Sequence, residues 1–541
     1  MIINFFFSSF QSLLISIILS KILLKNENKL IIIEVAIFGL IFLSFLAVLI
    51  NFIFPLNQLI NTTLYFFIII FFFLKKKKIY VKELLIILFV SLISLFLIVY
   101  DTVNRPDAFL YHLPYNQIIN NEKIILGLSN LHFRFAHISI IQYLSSINYT
   151  YFTNTSAILS PIAIFWSLIL IFYINDILKL IKKKEELSTG KIFSIFVLIY
   201  ISYKINRYSE FGNDMTGHLT VFYIVSKYLY HNRGDKFNLY LICTLVAFAI
   251  ANKIFFIPVI IIPIFIILDE NFNFFKFFLK LPFLLIIIWF FKNILISGCI
   301  IYPIHQTCSE QLSWTNMSQI KNERISGQAW AKAWPQRTNF EISMEQFNAN
   351  FNWIKAWSKL HMKLIINIIF PFIFLILLTY FAVKGKKKLN SDLKKELVIL
   401  AFSFIGIILF FFKFPLYRYG YSFIIIFIII FFKISFFKHL NHENFIKFCI
   451  ISLTFCILVL VGKQTIRIIN FWQTRIVIPE IKSNVDFEKK FKKVFVDSEF
   501  TYYFSEAECY YEFYPCTNQD LKNLKYKKIN NYKILYNSIQ K

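Results

Sequence analysis

The chain has 541 residues, of which 58% are hydrophobic and 68 are Phe, and its mean hydropathy is +0.63. Its many long apolar stretches exclude a soluble domain behind a cleaved signal peptide, and because these runs do not alternate they favour membrane-spanning helices over a barrel. In a soluble protein, the net charge of +27 would suggest binding to nucleic acid. Here the Lys residues cluster at the ends of apolar stretches, where they indicate the topology of the helices and contact with anionic lipid headgroups.

Apolar runs follow one another along most of the chain. At roughly 20 residues per crossing, they predict about 14 transmembrane helices. The predicted spans are 3–24, 30–54, 60–74, 83–100, 156–175, 191–204, 215–230, 238–251, 254–268, 281–297, 362–383, 396–412, 420–432 and 446–463. The clusters expected to face the cytoplasm are Lys75 to Lys78, Lys182 to Lys184, and Lys384 with Lys386 to Lys388.

Alternation of the spans then assigns the remaining segments to the outer side. It places there the loops 101–155 and 298–361, the short stretches 205–214 and 413–419, and the tail. The predicted organisation is a transmembrane domain, 1–463, followed by a small periplasmic domain, 464–541. Because the tail mixes charges with strand-like pieces such as KVFV and TYYF, we expect a soluble α+β fold there. Its small core would benefit from a disulfide and from docking onto the membrane domain.

Cysteine positions agree with this sidedness. Cys299 and Cys308 fall in one outer loop, and Cys509 and Cys516 fall in the tail. Because the outer side is an oxidising compartment, we predict that each pair forms a local disulfide. The alternative is four free thiols. The other three cysteines lie in apolar spans: Cys243, Cys449 and Cys456.

The outer loop 298–361 is rich in Trp. Amphipathic aromatic side chains at this density favour helices that lie along the membrane surface. Aromatic platforms for a sugar ring are the alternative. The residues concerned are Trp314, Trp330, Trp334, Trp353 and Trp357.

The densest polar segment, 101–137, lies in the first long outer loop. Ionisable groups at a membrane boundary are costly to desolvate, so a functional site is favoured over an ordinary solvated loop. The segment carries two carboxylates, three imidazoles and two guanidiniums: Asp101, Asp107, His112, His132, His137, Arg105 and Arg134.

These residue types suit transfer of a sugar from a lipid-linked donor. A carboxylate can take a proton from an incoming hydroxyl or amine while cations hold the departing lipid phosphate. No glycine-rich phosphate loop, zinc spacing or GxSxG elbow offers a competing chemistry. We therefore expect no cofactor, and no set of metal ligands is indicated.

Two consecutive motifs in this segment carry a family resemblance. They read Asp107-Ala-Phe-Leu-Tyr-His-Leu-Pro114 and Gly127-Leu-Ser-Asn-Leu-His-Phe-Arg-Phe135. Both resemble a group of bacterial polytopic membrane proteins with the pattern Asp-x-x-x-Tyr-His-Leu-Pro and Gly-Leu-x-Asn-Leu-His-x-Arg-Phe. That layout is similar to the glycosyltransferase C superfamily, in particular to its protein O-mannosyltransferase and aminoarabinose transferase branch.

Looser similarities follow in the same order along the chain. They are SEFGND ending at Asp214, Asn252-Lys253 in mid-span, SGCIIYP at 297–303, Tyr417-Arg418-Tyr419-Gly420, and the tail motif from Glu508 to Thr517, in which Tyr510 replaces an expected Trp. The first four spans carry no such similarity.

The resemblance implies roles for individual residues. Asp107 would be the catalytic carboxylate, with Asp101 as the competing choice, and Asp214 would orient the acceptor or support the first loop. The departure from the family is Asp107-Ala108, where the mannosyltransferase branch has Asp-Glu, so metal use and the sugar stay open. Donor-site residues would be Tyr111, His112, His132 and Arg134, with Lys253 and Arg418 on the polyprenyl phosphate.

Simpler roles exist for several of these residues. Lys253 and Arg418 would instead only extend toward the membrane interface, and Asp214 would only cap the helix after it. His137 is expected to be structural.

The sequence thus predicts a multi-pass, all-α glycosyltransferase of the bacterial inner membrane with a C-terminal α+β domain. It would invert the sugar carbon, using a polyprenyl-phosphate-linked donor and a glycan, lipid or protein acceptor, with membrane lipids but no nucleic acid as further partners. One alternative is a glycan polymerase or ligase with a lipid-pyrophosphate donor. The other is a transporter or flippase of lipid-linked sugars, although the two similar halves expected of a transporter are not seen.

Overall fold

The computed structural model of the chain describes residues 2–97, 107–153, 155–204, 214–273, 281–389, 392–474, 491–506, 509, 513–521 and 523–537. Some of the predicted residues lie outside the described ones: Asp101 and Arg105 of the polar segment, residues 209–213 of SEFGND, and Glu508, Tyr510 and residues 511–512 of the tail motif.

Helices form most of the described structure. Runs of Ile, Leu and Phe adopt this conformation because lipid offers no partner for backbone N–H and C=O groups, which the helix satisfies internally. The helices before the second long loop are α1 (Ile2–Leu23), α2 (Ile32–Asn51), α3 (Gln58–Leu74), α4 (Val81–Leu97), α5 (Leu113–Asn121), α6 (Ile140–Ile147), α7 (Ser160–Ile181), α8 (Thr189–Lys204), α9 (Asp214–Leu229), α10 (Lys236–Asn252), α11 (Ile261–Asp269) and α12 (Leu281–Ser297).

The remaining helices belong to the second long loop and to the C-terminal half. Those of the loop are α13 (Met317–Ala331), α14 (Met344–Asn348) and α15 (Ile354–Trp357). They are followed by α16 (Lys363–Val383), α17 (Leu393–Lys413), α18 (Tyr417–Ser435) and α19 (His442–Thr474).

Apolar length gives the helical part the character of a membrane protein. Seven described segments are long and apolar enough to cross a bilayer. They are Ile3–Leu23, Ile32–Asn51, Ala157–Ile181, Ile354–Val383, Leu393–Lys413, Tyr417–Ser435 and His442–Asn470. Shorter apolar helices are Gln58–Leu74, Lys236–Asn252, Ile254–Asp269 and Leu281–Ser297.

The predicted Lys clusters lie at one end of the bundle, which we call the Lys-rich end. Lys76 and Lys183 terminate α3 and α7 in the left-handed conformation, with φ of 52° and 53°. Strand β1 (Lys384–Lys388) pairs antiparallel with β2 (His439–Leu440). Buried or half-buried ion pairs tie this end together: Lys21–Glu83, Lys77–Glu27, Lys191–Asp176, Lys227–Glu34 and Lys433–Glu396.

The opposite end, which we call the loop end, carries residues 107–153, residues 298–362 and the tail. In the second of these segments, Trp353 and Trp357 are only 2% and 5% exposed, and they pack against Phe347 and Phe411. Contrary to the expectation for this loop, these two Trp residues are not available to a membrane surface, because they are buried in a small core that includes Phe411 of α17. Trp330 remains 60% exposed.

The tail departs from its predicted description in two respects. Helix α19 runs through the boundary drawn at residue 463 and ends at Thr474. The described tail residues after it form strands, without the α-helices expected of an α+β domain: β3 (Lys492–Phe495), β4 (Thr501–Phe504), β5 (Cys516–Thr517), β6 (Leu524–Ile529) and β7 (Tyr532–Asn537). One sheet has the order β3-β4-β5, and β6 and β7 form an antiparallel hairpin.

Candidate functional site

The first predicted motif folds as an irregular helix. Residues Ala108–His112 form a π-helical turn that leads into α5. Pro114 has no N–H to donate to the preceding turn, which favours a local departure from α-helical bonding. Turns of this type recur at functional sites because they re-aim side chains. Asp107 stands at the entrance of the turn.

Asp107 is hydrogen-bonded to the side chain of Tyr111, one turn along. Burial and the nearby Asp107 carboxylate raise the pKa of Tyr111 above its usual value. The phenol therefore stays protonated and donates to Asp107. This bond fixes the carboxylate that the sequence predicts as the catalytic one.

His112 lies beside Tyr111, with the two ring centroids 4.3 Å apart. Its Nδ1 accepts from Nε2 of Gln142 at 3.1 Å, so in the neutral ring the hydrogen is on Nε2. Burial lowers the pKa of His112 to about 3, against which Asp107 and Asp214 act in the raising direction. His112 is consequently a neutral hydrogen-bond donor.

The second motif is bound to the tail. The backbone N–H of Arg134 donates to Nδ1 of His132 at 3.1 Å, which leaves Nε2 to donate to Oδ1 of Asn518, also at 3.1 Å. Gly127 has φ of 69°, and a Cβ there would lie 2.2 Å from the carbonyl oxygen of Leu535. Only glycine suits this position, because it combines the left-handed conformation with close backbone approach.

Arg134 points away from this packed region. The residue is exposed, and its guanidinium lies over Phe133 at 4.9 Å and over Tyr111 at 5.9 Å. Among the described residues it forms no ion pair.

Asp214 contacts both of the predicted phosphate-binding residues. Its Oδ1 lies 2.5 Å from Nζ of Lys253, and its Oδ2 lies 3.8 Å from Nε of Arg418. The Lys253 ammonium also lies 3.5 Å from the centre of the Tyr419 ring. Two cations therefore share one carboxylate above an aromatic face, which leaves this group with an excess of positive charge.

Lys253 is not in the middle of a span, as the sequence suggested. It is an extended residue between α10 and the 3₁₀ segment Ile254–Ile260 that leads into α11. Near the start of α10, His231 and Gly234 both bind Glu270, which follows the end of α11. The two segments are therefore antiparallel, and Lys253 lies at their turn at the loop end.

His218 was not singled out from the sequence, yet it positions Arg418. Its Nε2 donates to the carbonyl oxygen of Arg418 at 2.8 Å, and its Nδ1 accepts from the Ser422 hydroxyl at 2.6 Å. The ring stacks on Tyr421 at 3.7 Å. These contacts join α9 to the start of α18 across about 200 residues, a separation at which no local sequence signal exists.

The predicted residues converge on one region at the loop end. The charges of Asp107, Asp214, Lys253 and Arg134 all act on His112, and Arg418 interacts electrostatically with Asp107. Their polar ends remain accessible: the exposed fractions of the side chains are 23% for Asp214, 30% for Lys253 and 43% for Arg418. These ends are therefore partly open to solvent at the loop end. His132 is the exception, since its ring faces the tail.

A further carboxylate, Glu323 of α13, was also missed. Burial raises its pKa to about 7, against a lowering influence of Arg134. A Glu in a polar loop does not stand out in the sequence. Its proximity to Arg134 could not be predicted either, because the two residues are far apart along the chain. His137, expected to be structural, packs edge-on against Tyr302 at 4.9 Å.

Both predicted disulfides are present, Cys299–Cys308 and Cys509–Cys516. The second is next to the site, because the backbone N–H of Cys509 donates to the carbonyl oxygen of Phe109 at 3.1 Å. The Thr517 hydroxyl donates to the carbonyl oxygen of Leu131 at 2.9 Å. This disulfide loop thus touches both motifs.

Metal ligands are not grouped in the part of the chain that the structure describes. There, no three His, Cys, Asp or Glu side chains come together in a way that could hold an ion. The groups present are the Asp107 carboxylate beside Tyr111, the two cations Lys253 and Arg418, and the exposed guanidinium of Arg134.

Comparison with known proteins identifies a family. A family model described as a domain of unknown function, DUF8201, matches residues 1–425. No curated protein and no solved structure matches the chain.

Proposed function

The chain belongs to the DUF8201 family, and we propose that it is a membrane glycosyltransferase that moves a sugar from a polyprenyl-phosphate donor to a hydroxyl-bearing acceptor. The observation that carries the proposal is the grouping of Asp107 with the pair Lys253 and Arg418 at the loop end. Asp107 supplies a general base, and Lys253 and Arg418 supply positive charge that stabilises the leaving phosphate. The acceptor would be a cell-surface glycan, lipid or protein.

In the proposed reaction, an acceptor hydroxyl gives its proton to the Asp107 carboxylate while its oxygen bonds to the anomeric carbon of the donor. The bond between that carbon and the phosphate oxygen breaks, and the polyprenyl phosphate leaves with the electron pair. Lys253 and Arg418 stabilise the negative charge that develops on the phosphate. A single displacement of this kind inverts the sugar carbon.

The surroundings of these groups support their roles. Tyr111 orients the Asp107 carboxylate through its hydroxyl, and the neutral His112 beside it can donate from Nε2 to a sugar oxygen. Asp214 holds Lys253 and Arg418 next to each other. Positioning of this type contributes to rate because the reacting groups no longer have to be brought together.

We further infer that the shorter helices also cross the membrane, giving a glycosyltransferase C-like arrangement of about 14 passages. The loop end would then face the periplasm of a bacterial inner membrane, and the Lys-rich end the cytoplasm, as the positive-inside rule requires. The two disulfides at the loop end support this orientation.

The transporter alternative gains no support from Lys253. A transporter site is formed by helices broken near the bilayer midplane, whereas this residue lies at the turn between antiparallel segments. A polymerase or ligase would share the cationic group but would depend less on Asp107.

The test is sugar transfer from radiolabelled polyprenyl-phosphate donors by the purified full-length protein. Asp107→Asn should lower transfer at least about 100-fold, as expected for loss of a general base. The matched control is Glu122→Gln, a carboxylate of the same loop that pairs with Lys533 instead. Activity of the Asp107 variant equal to that of the control, or no transfer by the wild type from any donor, would contradict the proposal.

A further inference from the structure

Two opposite charges face each other beside the proposed catalytic carboxylate without forming an ion pair. Glu323 and Arg134 are close enough for their charges to interact, but among the described residues neither side chain is in an ion pair or hydrogen bond. Glu323 is half-buried, and a carboxylate that is partly removed from water is costly to leave unpaired, whereas the exposed Arg134 remains free to bind a ligand. The space between them therefore has the character of a binding site.

Helix α13 is held against the second motif by contacts that precede Glu323 in the sequence. Nε2 of Gln319 donates to the carbonyl oxygen of Ser129 at 3.4 Å, and Nδ2 of Asn130 donates to the carbonyl oxygen of Trp314 at 2.8 Å. Because residues four apart share a face of a helix, Glu323 projects on the same side as Gln319, toward the second motif.

The same face continues as an open surface. Gly327 and Trp330 follow Glu323 at spacings of four and seven residues, so all three lie on one side of α13. A Cβ at Gly327 would meet no atom within 4 Å, and Trp330 is 60% exposed. From Glu323 to Trp330 the helix rises about 10 Å, enough for a short oligosaccharide.

We propose that Arg134 and Glu323 with the surface of Gly327 and Trp330 form a subsite that binds a neutral carbohydrate, which in the proposed reaction is the acceptor. The guanidinium donates to one hydroxyl and the carboxylate accepts from another, and a sugar ring stacks on the indole. A neutral carbohydrate fits because the subsite pairs one guanidinium with one carboxyl group and so presents no large excess of either charge. The chemistry rests on the proposed function, but binding of the carbohydrate does not.

An alternative role for Trp330 is anchoring at the membrane interface. That role explains an exposed indole but not the open Gly327 beside it, nor an unpaired carboxylate one helical turn before the glycine. The Trp cluster of Trp353 and Trp357 is not part of the subsite, since both side chains are buried.

The test measures binding without any donor. Purified full-length protein in detergent is applied to an array of neutral hexose disaccharides to tetrasaccharides, printed beside oligouronates and bare linker. The Cβ added by Gly327→Leu meets no protein atom within 4 Å, so this variant should fold normally, and its side chain should fill the open surface and lower binding about tenfold. Trp330→Ala is a second variant and should also lower binding, because the sugar ring loses the indole on which it stacks.

The matched control is Lys321→Leu, an exposed position on the opposite face of α13. Binding of neutral glycans by the wild type and by this control, with loss in the two other variants at an unchanged melting temperature, is the expected result. No neutral glycan bound above bare linker, a preference for oligouronates, or binding retained in Gly327→Leu would overturn the subsite. None of these outcomes affects the Asp107 test, which uses the donor.

Discussion

Single side chains determine how much charge the proposed donor site presents. Asp214 is shared by Lys253 and Arg418, and the Tyr419 ring supports both cations. An aromatic face stabilises a cation without neutralising it. The site therefore keeps positive charge available for a phosphate, even though it contains a carboxylate.

Removing one of these cations gives a specific prediction. In Lys253→Met, Arg418 alone balances Asp214, so the excess positive charge disappears. We expect KM for the polyprenyl-phosphate donor to rise at least about tenfold, with a smaller change in kcat. The measurement is initial-rate kinetics over a range of donor concentrations.

The control for that variant is Lys394→Met. Lys394 is an exposed lysine that pairs with Asp269 at the Lys-rich end, far from the proposed site. Equal donor KM values for the two variants would show that Lys253 does not bind the phosphate.

His132 makes a pH-dependent contribution to stability. Burial lowers its pKa to about 4, so between that value and the usual value near 6.5 the unfolded chain binds a proton that the folded chain does not. The free energy of unfolding therefore rises with pH in this window and falls as the solution is acidified. From about pH 7.5 to pH 5 the loss from this residue is about 2 kcal/mol.

Thermal unfolding at these two pH values checks the prediction. His132→Gln keeps a donor for Asn518 but does not titrate, so its melting temperature should fall less on acidification than that of the wild type. An equal fall in both proteins would contradict a neutral, buried His132.

Individual residues of the site were predictable only where a motif carried them. Asp107, Arg134 and Arg418 stand in such motifs, and the structure brings them together. Gln142, His218, Glu323 and Asn518 do not, because their roles come from neighbours 30 to more than 300 residues away. Hydrogen bonds over such separations leave no periodic pattern in the sequence.

Helix contacts set the spacing of the bundle. At the crossing of α1 and α2, a Cβ at Gly39 would lie 1.8 Å from the carbonyl oxygen of Ser16. This is the backbone of a neighbouring helix, which cannot rotate aside as a side chain could. Small residues at such crossings let helices approach closely.

Gly39→Ala should therefore destabilise the protein by at least about 2 kcal/mol, the range of an overpacked core. Gly462→Ala in α19 is the matched control, since no atom lies within 4 Å of its Cβ, and it should be neutral or slightly stabilising. Melting temperatures in detergent compare the two. Similar melting temperatures of the two variants would show that α1 and α2 can move apart without loss of stability.

Elements were predicted well where hydropathy alone defines them. The predicted span 281–297 coincides with α12, and 362–383 begins one residue before α16. The end of α19 was missed because its last three turns carry polar residues such as Gln464 and Arg467, although the helix continues. The π-helical turn at Ala108–His112 was also unpredicted, since it changes bonding without changing the apolar pattern.

At the scale of the whole molecule, the tail is part of the site. Besides Asn518 and Thr517, the hairpin of β6 and β7 contacts the first loop: Leu126 pairs with Ile534, and Lys533 pairs with Glu122 at 2.6 Å. Docking was expected from the small size of the tail. Its position on the two motifs was not, because surface complementarity between distant segments has no signature in one sequence.

The disulfide Cys509–Cys516 should control this docking. Loss of a cross-link over so short a loop costs about 2–3 kcal/mol. Cys509→Ser with Cys516→Ser should therefore expose the Lys-rich strand β6 and accelerate its release by limited trypsin digestion. The rate of appearance of the tail fragment measures this.

The control is the pair Cys299→Ser with Cys308→Ser, which removes the other disulfide at the loop end. Protection of the tail should persist in that protein. Equal digestion rates in both proteins would indicate that the tail is held without its own disulfide.

The contact between Asn130 and Leu535 spans 405 residues. The motif-bearing loop is synthesised about 400 residues before its partner strand β7. An incomplete chain therefore carries an unfinished site, with His132 unbound and Gly127 uncovered. The proposed activity would in this way be withheld until β7 has been synthesised and has reached the loop end, which couples function to biogenesis.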